Sequence, residues 1–410
     1  MLFLQIGHGS VADDLRESVL RDQALKAGIV QVVSLWPSVS PKQAAAGKLL
    51  FESKELSLTR EIACQSCHLD RFSSSDGIPL GIGTRGSGEG IQRMQRGGDM
   101  LPRNTLPFWG RGSLGFDVFF WDGKVDSSSG EVASQFGDLV PSDDPLVVAA
   151  HLPPVEIREM LRDDEAAEAL RTESVSSAQS IYTTIEGRVQ ADPMLAAALV
   201  DAYDFERGDI RFLHVAESIA AFIRDRFRLQ PTGFHRFVFD EGDISDEELA
   251  GGLLFYGRGR CVACHNGPFF SDLSFHAIPF SQFGYGRNGF GIDYGRFNVT
   301  MDPDDLYKFR TPPLYNVAST GPYSHSGAVA DLRDAILAHV DPFRAMTLPL
   351  DRQQRAEFYR RLGQWAKEPI WGVELDEDDI DNLVAFLGTL SFDDANFQGS
   401  RSGNVAGGAE

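Results

Sequence analysis

Two five-residue strings, Cys64-Gln65-Ser66-Cys67-His68 and Cys261-Val262-Ala263-Cys264-His265, use all four cysteines of this 410-residue chain. Two thiols three residues apart can form thioethers with the two vinyl groups of one porphyrin, and the adjacent imidazole is then delivered to its iron. Two such motifs predict two covalent c-type haems. Half of a zinc site and a redox-active dithiol are the other readings of Cys-x-x-Cys. A tetrahedral zinc site wants four ligands, and a dithiol does not require a histidine after the second cysteine in both copies.

At 42% hydrophobic and 24% charged residues the chain can bury a sizeable core, and its length suggests two to three domains. The formal net charge of -21 argues against a nucleic-acid partner, which requires a basic face. It suits solubility or the steering of a basic protein partner. No run of about 18 apolar residues occurs, so no membrane span is expected. Met1 to Val11 lacks a basic n-region and runs into the charged stretch Asp13 to Arg21, so no signal peptide is read there.

A repeat organises the chain. Ala44-Ala45-Ala46-Gly47-Lys48-Leu49-Leu50-Phe51 precedes the first motif, and Glu248-Leu249-Ala250-Gly251-Gly252-Leu253-Leu254-Phe255 precedes the second. Each reads as a short amphipathic helix ending in phenylalanine. Downstream lie matching helices, His214 to Phe227 with its Ala221-Phe222 pair and Asp379 to Leu390 with Ala385-Phe386. Helix, haem motif and closing helix make one cytochrome c unit, present twice. The boundary falls near Leu229 to Gly233, where Gln230-Pro231-Thr232-Gly233 supplies breakers. The stretches Ser73 to Gly98 and Gly284 to Arg296 are glycine-rich and polar without strand alternation. The expected fold is all-α with long loops: an N-terminal extension over 1–39, cytochrome c-like domains over 40–230 and 231–395, and a disordered tail over 396–410.

The strings Phe120-Trp121-Asp122-Gly123-Lys124, Phe309-Arg310-Thr311-Pro312-Pro313-Leu314 and Thr320-Gly321-Pro322-Tyr323-Ser324-His325-Ser326-Gly327, placed around two haem motifs, resemble the bacterial dihaem cytochrome c peroxidase and MauG superfamily. The similarity runs from about Ser40 to Phe392, and the order and spacing of the strings make it specific. The resemblance implies a peroxidatic first haem, an electron-transfer second haem and a tryptophan between them, here Trp121. It also implies a periplasmic protein, because c-type haem is attached on the oxidising side of the bacterial inner membrane.

By the same resemblance, His68 and His265 are the proximal iron ligands. Many relatives carry a second histidine downstream of the first motif that blocks the resting iron. This chain has Thr84-Arg85-Gly86-Ser87-Gly88-Glu89-Gly90 there and no histidine before His151, which implies an open, high-spin first iron. The family acid/base glutamate matches Glu159, with Pro153 also in place and Ala149 where the family has glutamine. His151 is expected to point away from the Ala149 position, since two helical residues subtend about 200°. The distal ligand of the second haem, nineteen residues after Thr320, falls on His339 rather than the usual methionine or tyrosine, with Met346 the alternative. Asn104, Thr320 and Pro322 match positions that hold calcium, largely through carbonyl oxygens. His325 is expected to be a structural hydrogen-bonder, and His8, His214, His235 and His276 receive no special role.

The expected function is that of a periplasmic dihaem oxidoreductase using hydrogen peroxide. Its electrons come from a small redox protein or, in a MauG- or MbnH-like manner, from tryptophan or tyrosine side chains of a partner protein. The alternative is a non-catalytic electron-transfer cytochrome with both irons six-coordinate. The sequence does not identify the donor or the oligomeric state.

Overall fold

The computed structural model describes residues 11–162, 175–240, 242–344 and 351–392. His8, Met346 and the tail 396–410 lie outside them. Helices carry the architecture: α1 Val11–Lys26, α2 Pro41–Glu52, α3 Pro145–His151, α4 Val175–Ala191, α5 Pro193–Tyr203, α6 Phe212–Arg226, α7 Gly233–Phe239, α8 Asp246–Tyr256, α9 Leu332–Val340, α10 Arg352–Trp365 and α11 Glu377–Gly388, with shorter helical turns between. The strands are two residues long and form one three-stranded and two two-stranded antiparallel patches that pin loops. None of the described helices is long and apolar enough to cross a membrane.

Local chemistry sets the helix starts. The Ser40 hydroxyl accepts the Gln43 N–H with Pro41 in the first turn, and Ser245 and Glu248 close a reciprocal capping box on α8.

The sequence repeat is a repeated helix crossing. A Cβ at Gly47 on α2 would lie 1.8 Å from the Ser218 carbonyl oxygen and 2.8 Å from Phe222 Cβ on α6. At Gly251 on α8 the same atom would lie 1.9 Å from the Asn382 oxygen and 2.8 Å from Phe386 Cβ on α11. Only a residue without a side chain permits either approach. The phenylalanines complete each crossing, with ring centroids 5.0 Å apart for Phe51 and Phe222 and 5.1 Å for Phe255 and Phe386.

The charged stretch Asp13 to Arg21 belongs to α1, which packs on the second repeat. Leu20 and Ala24 are fully buried, and a Cβ on Gly252 of α8 would meet Leu20 at 2.6 Å. Arg21 reaches α7, donating to the Phe237 carbonyl at 2.9 Å with its guanidinium 4.1 Å over the Phe237 ring. Leu20 and Ala24 thus seat this helix on the second repeat.

Candidate active site

Both Cys-x-x-Cys-His motifs open with a tight turn, Cys64–Ser66 and Cys261–Ala263. In each, the histidine N–H donates to the carbonyl of the first cysteine, at 3.1 Å for His68 and 2.9 Å for His265. The four cysteine side chains are half-buried and none is in a disulfide.

Three histidines share one arrangement. Nδ1 of His68 bonds the Ser74 carbonyl at 2.8 Å, Nδ1 of His265 that of Phe270 at 2.9 Å, and Nδ1 of His339 that of Ala335 at 2.7 Å. A carbonyl only accepts, so each Nδ1 carries the proton and each Nε2 keeps its lone pair for a metal. Burial lowers all three pKa values, His68 to about 3 and His265 to about 4, which keeps the rings neutral.

The His265 and His339 ring centroids are 6.5 Å apart. An imidazole nitrogen sits about 2 Å from a bound metal, which puts rings on opposite sides of one ion about 6 Å apart. The two rings therefore fit one iron between them. His68 instead has Phe108 at 3.9 Å and Phe51 at 6.4 Å, and among the described residues no second histidine ring is in contact with it. His151 also bonds back one turn, Nδ1 to the Val147 carbonyl at 2.8 Å, but Phe136, Tyr182 and Phe212 wall its ring and the Tyr182 hydroxyl holds its carbonyl. It is a packed core side chain, beside the equally buried Ala149.

Glu159 lies on an irregular turn after α3. The loop that follows the first motif rests on that turn: Thr84 N–H donates to the Arg158 carbonyl at 2.8 Å, and a Cβ on Gly83 would strike the same oxygen at 1.7 Å. Glu159 is half-buried, and among the described residues none hydrogen-bonds its carboxyl group. Burial, then repulsion from Glu156, raise its pKa to about 7, against the pull of Lys124 and Arg287. Lys124 is committed elsewhere, paired with Glu156 and 4.5 Å over the Phe120 ring.

Trp121 is buried against Leu106 and Phe309, its indole N–H donating to the Asn104 carbonyl at 2.9 Å and its carbonyl accepting the Arg310 N–H at 2.8 Å. The next residue, Asp122, is fully buried and bonded to Arg103 at 2.6 Å, while Arg103 forks onto both oxygens of Asp293 at 2.9 Å. This triad ties the tryptophan segment to the second half of the chain. Asn104 N–H donates to the His325 carbonyl at 2.8 Å, which brings Asn104 to the Thr320–His325 segment. His325 itself is stacked on Phe309 at 3.8 Å and bonded through Nε2 to Gln282 at 3.0 Å.

Two buried arginines escaped the sequence reading. Arg111 and Arg310 are 7% and 1% exposed, and among the described residues neither meets a carboxylate. Arg310 Nη2 is buried without any hydrogen-bond partner. Burial lowers both pKa values, and Arg310 lowers that of Arg111 further. Unpaired buried cations are costly, so this region calls for anions, a role that haem propionates would fit. Arg310 sits inside a string already singled out; Arg111 carries no sequence signal.

Residues 41–243 match the family model described as di-haem cytochrome c peroxidase. The chain is 28% identical over 306 residues to the methylamine utilization protein MauG of Methylorubrum extorquens, covering 73% of this chain and 69% of that protein. It is 24% identical over 367 residues to the cytochrome-c peroxidase IdrP2 of Denitromonas iodatirespirans, covering 84% and 80%. The crystal structure of a MauG-like protein associated with microbial copper homeostasis shares the fold, with a TM-score of 0.64 at 22% identity over 91% of this chain and 95% of that one. Paired Cys-x-x-Cys-His motifs, histidines kept neutral by burial and these relatives agree: the chain belongs to the di-haem cytochrome c peroxidase and MauG family of peroxidase-type oxidoreductases.

Proposed function

We propose that the protein is a periplasmic enzyme that reduces hydrogen peroxide at its first haem, on His68, and draws the electrons through its second, on His265 and His339. Each turnover consumes one peroxide, two protons and two electrons and yields two waters. Held by His68, a haem would supply peroxide binding and the redox chemistry of oxygen–oxygen bond cleavage. Glu159 takes the proton from the near oxygen and returns it to the departing one, a task suited to a carboxyl group with a pKa of about 7 and no hydrogen-bonded competitor. Lys124 and Glu156, paired with each other, set the charge that Glu159 feels. Trp121 would share oxidising equivalents between haems held by the two motifs, and Asn104, Thr320 and Pro322 would hold a calcium ion.

The asymmetry between the motif histidines carries the reading: His265 faces a second imidazole at 6.5 Å, whereas His68 faces none among the described residues. A second haem held between two imidazoles and a first held by one would suit a division between electron transfer and peroxide chemistry. The same asymmetry disfavours a pure electron carrier. A histidine in place of the methionine ligand, and no blocking histidine in Thr84 to Gly90, favour the MauG-like mode, in which side chains of a partner protein are oxidised. A resting-state electron paramagnetic resonance spectrum tests it. One high-spin and one low-spin ferric signal, the former altered by peroxide, is expected; two low-spin signals indifferent to peroxide would establish the carrier instead.

A further inference from the structure

We infer that Trp371 is the surface port through which a protein one-electron donor reduces this enzyme, and that Trp365 carries each electron from it to the His339 side of the second haem. The inference rests on the peroxidase reading above. Of the five tryptophans, Trp371 is the exposed one, at 50%, whereas Trp365 is 4% exposed. A single exposed indole is ordinary. What distinguishes this one is an unbroken line of contacts inward. The rings of Trp371 and Trp365 meet edge to face at 4.6 Å, the Trp365 indole N–H donates to the His339 carbonyl at 3.0 Å, and the His339 ring faces His265 at 6.5 Å.

The turn that presents Trp371 is braced. Its N–H bonds the Glu368 carbonyl at 3.0 Å, the Glu368 carboxylate bonds His276 Nδ1 at 2.7 Å and Ala277 N–H at 2.9 Å, and Arg260, one residue before the second motif, donates to the Pro369 carbonyl at 3.2 Å. The outer indole is thereby fixed to the haem-bearing segment. Indoles are among the most easily oxidised side chains, and a rigid, half-exposed tryptophan is also the residue type that anchors protein contacts.

The electrons balance as follows. For each peroxide reduced to two waters, two electrons pass singly: Trp365 gives one toward the second haem and regains it from Trp371, which regains it from the donor. Trp365 keeps its N–H proton on the His339 carbonyl throughout. The two protons that complete the waters come from solvent, and a donor side chain that loses a proton releases it there.

The test exposes the haem-loaded full chain to peroxide without donor and maps oxidised tryptophan by peptide mass spectrometry, with the haem absorption change recorded in parallel. Oxidation is expected at Trp371 in the parent protein, to fall at least tenfold in Trp365→Phe although Trp371 stays exposed, and to retreat to Trp365 in Trp371→Phe. Direct attack by peroxide in solution survives Trp365→Phe. If the haems respond to peroxide and Trp371 stays unmodified, or its oxidation is unchanged in Trp365→Phe, the relay is overturned while the peroxidase reading stands. If the haems do not respond at all, that reading itself fails.

Discussion

The imidazoles of His265 and His339 stand 6.5 Å apart with their planes at 60°, and the backbone of α9 sets the second ring before any metal is considered. His339 Nδ1 bonds the Ala335 carbonyl one turn back, and its own carbonyl is held by the Trp365 indole. A ring pre-oriented in this way would lose little freedom on binding a metal.

His339→Ala should therefore convert the low-spin ferric signal to high-spin and leave the signal of the first haem unchanged. The measurement is electron paramagnetic resonance of the oxidised protein. Persistence of the low-spin signal would assign the ligand elsewhere, with Met346 the next residue to replace.

Glu159→Gln keeps the size of the side chain and removes the base. The peroxide reaction of the first haem should slow by about 10²–10⁴-fold with haem content unchanged. The pH profile gives a second reading. Burial and Glu156 hold the carboxyl near 7, so it is protonated below that pH and unable to accept a proton. The rate in the parent protein should rise through about pH 7 and level off above it, and stopped-flow traces of Glu159→Gln should lack that step.

The repeat, the motif turns and the crossing helices were legible because each follows from local pattern: Gly47 and Gly251 sit at the same place in two similar strings and meet the same kind of neighbour. The expected helices His214–Phe227 and Asp379–Leu390 lie within two residues of α6 and α11. Helix α1 was hidden by its charges, and α4, α5 and α10 lie in stretches where no motif drew attention. In the site, the family resemblance pointed to Glu159 and His339, but not to what surrounds them. Lys124 and Arg287 act on Glu159 from separate segments, and Arg111 meets Arg310 across about two hundred residues. Such meetings are set by tertiary packing, which single-residue patterns do not encode.

Gly251→Ala should destabilise the protein, because its Cβ would stand 1.9 Å from a backbone oxygen and the α8–α11 crossing must open. Forced overpacking of this kind typically costs about 1–3 kcal/mol. Gly187→Ala on α4 is the counterpart: nothing lies within 4 Å of its Cβ, so the change should stabilise by about 0.5–1 kcal/mol through helix propensity alone. Thermal melts of the two variants should move in opposite directions, and a shared direction would show that the crossing is not close-packed.

Arg111 and Arg310 give the most direct reading of how the haems sit. The Arg111 guanidinium lies 5.4 Å from the ring of Phe108, whose centroid in turn lies 3.9 Å from that of His68, and Arg310 is anchored by Nε to the Phe120 carbonyl at 3.0 Å with Nη2 left over. If propionates answer these cations, each guanidinium favours the reduced haem, whose iron carries one positive charge fewer. Arg111→Met should then lower the reduction potential of the first haem. A hydrogen bond to a charged group is worth roughly 1.5–3 kcal/mol, only part of which differs between redox states. Since 1.4 kcal/mol corresponds to about 60 mV for one electron, a downward shift of tens of millivolts is expected. Spectroelectrochemical titration reads it, and because both thioethers and His68 are untouched, haem content should stay at two per chain. An unchanged potential would mean that the buried guanidinium answers to some other anion and that the propionates point elsewhere.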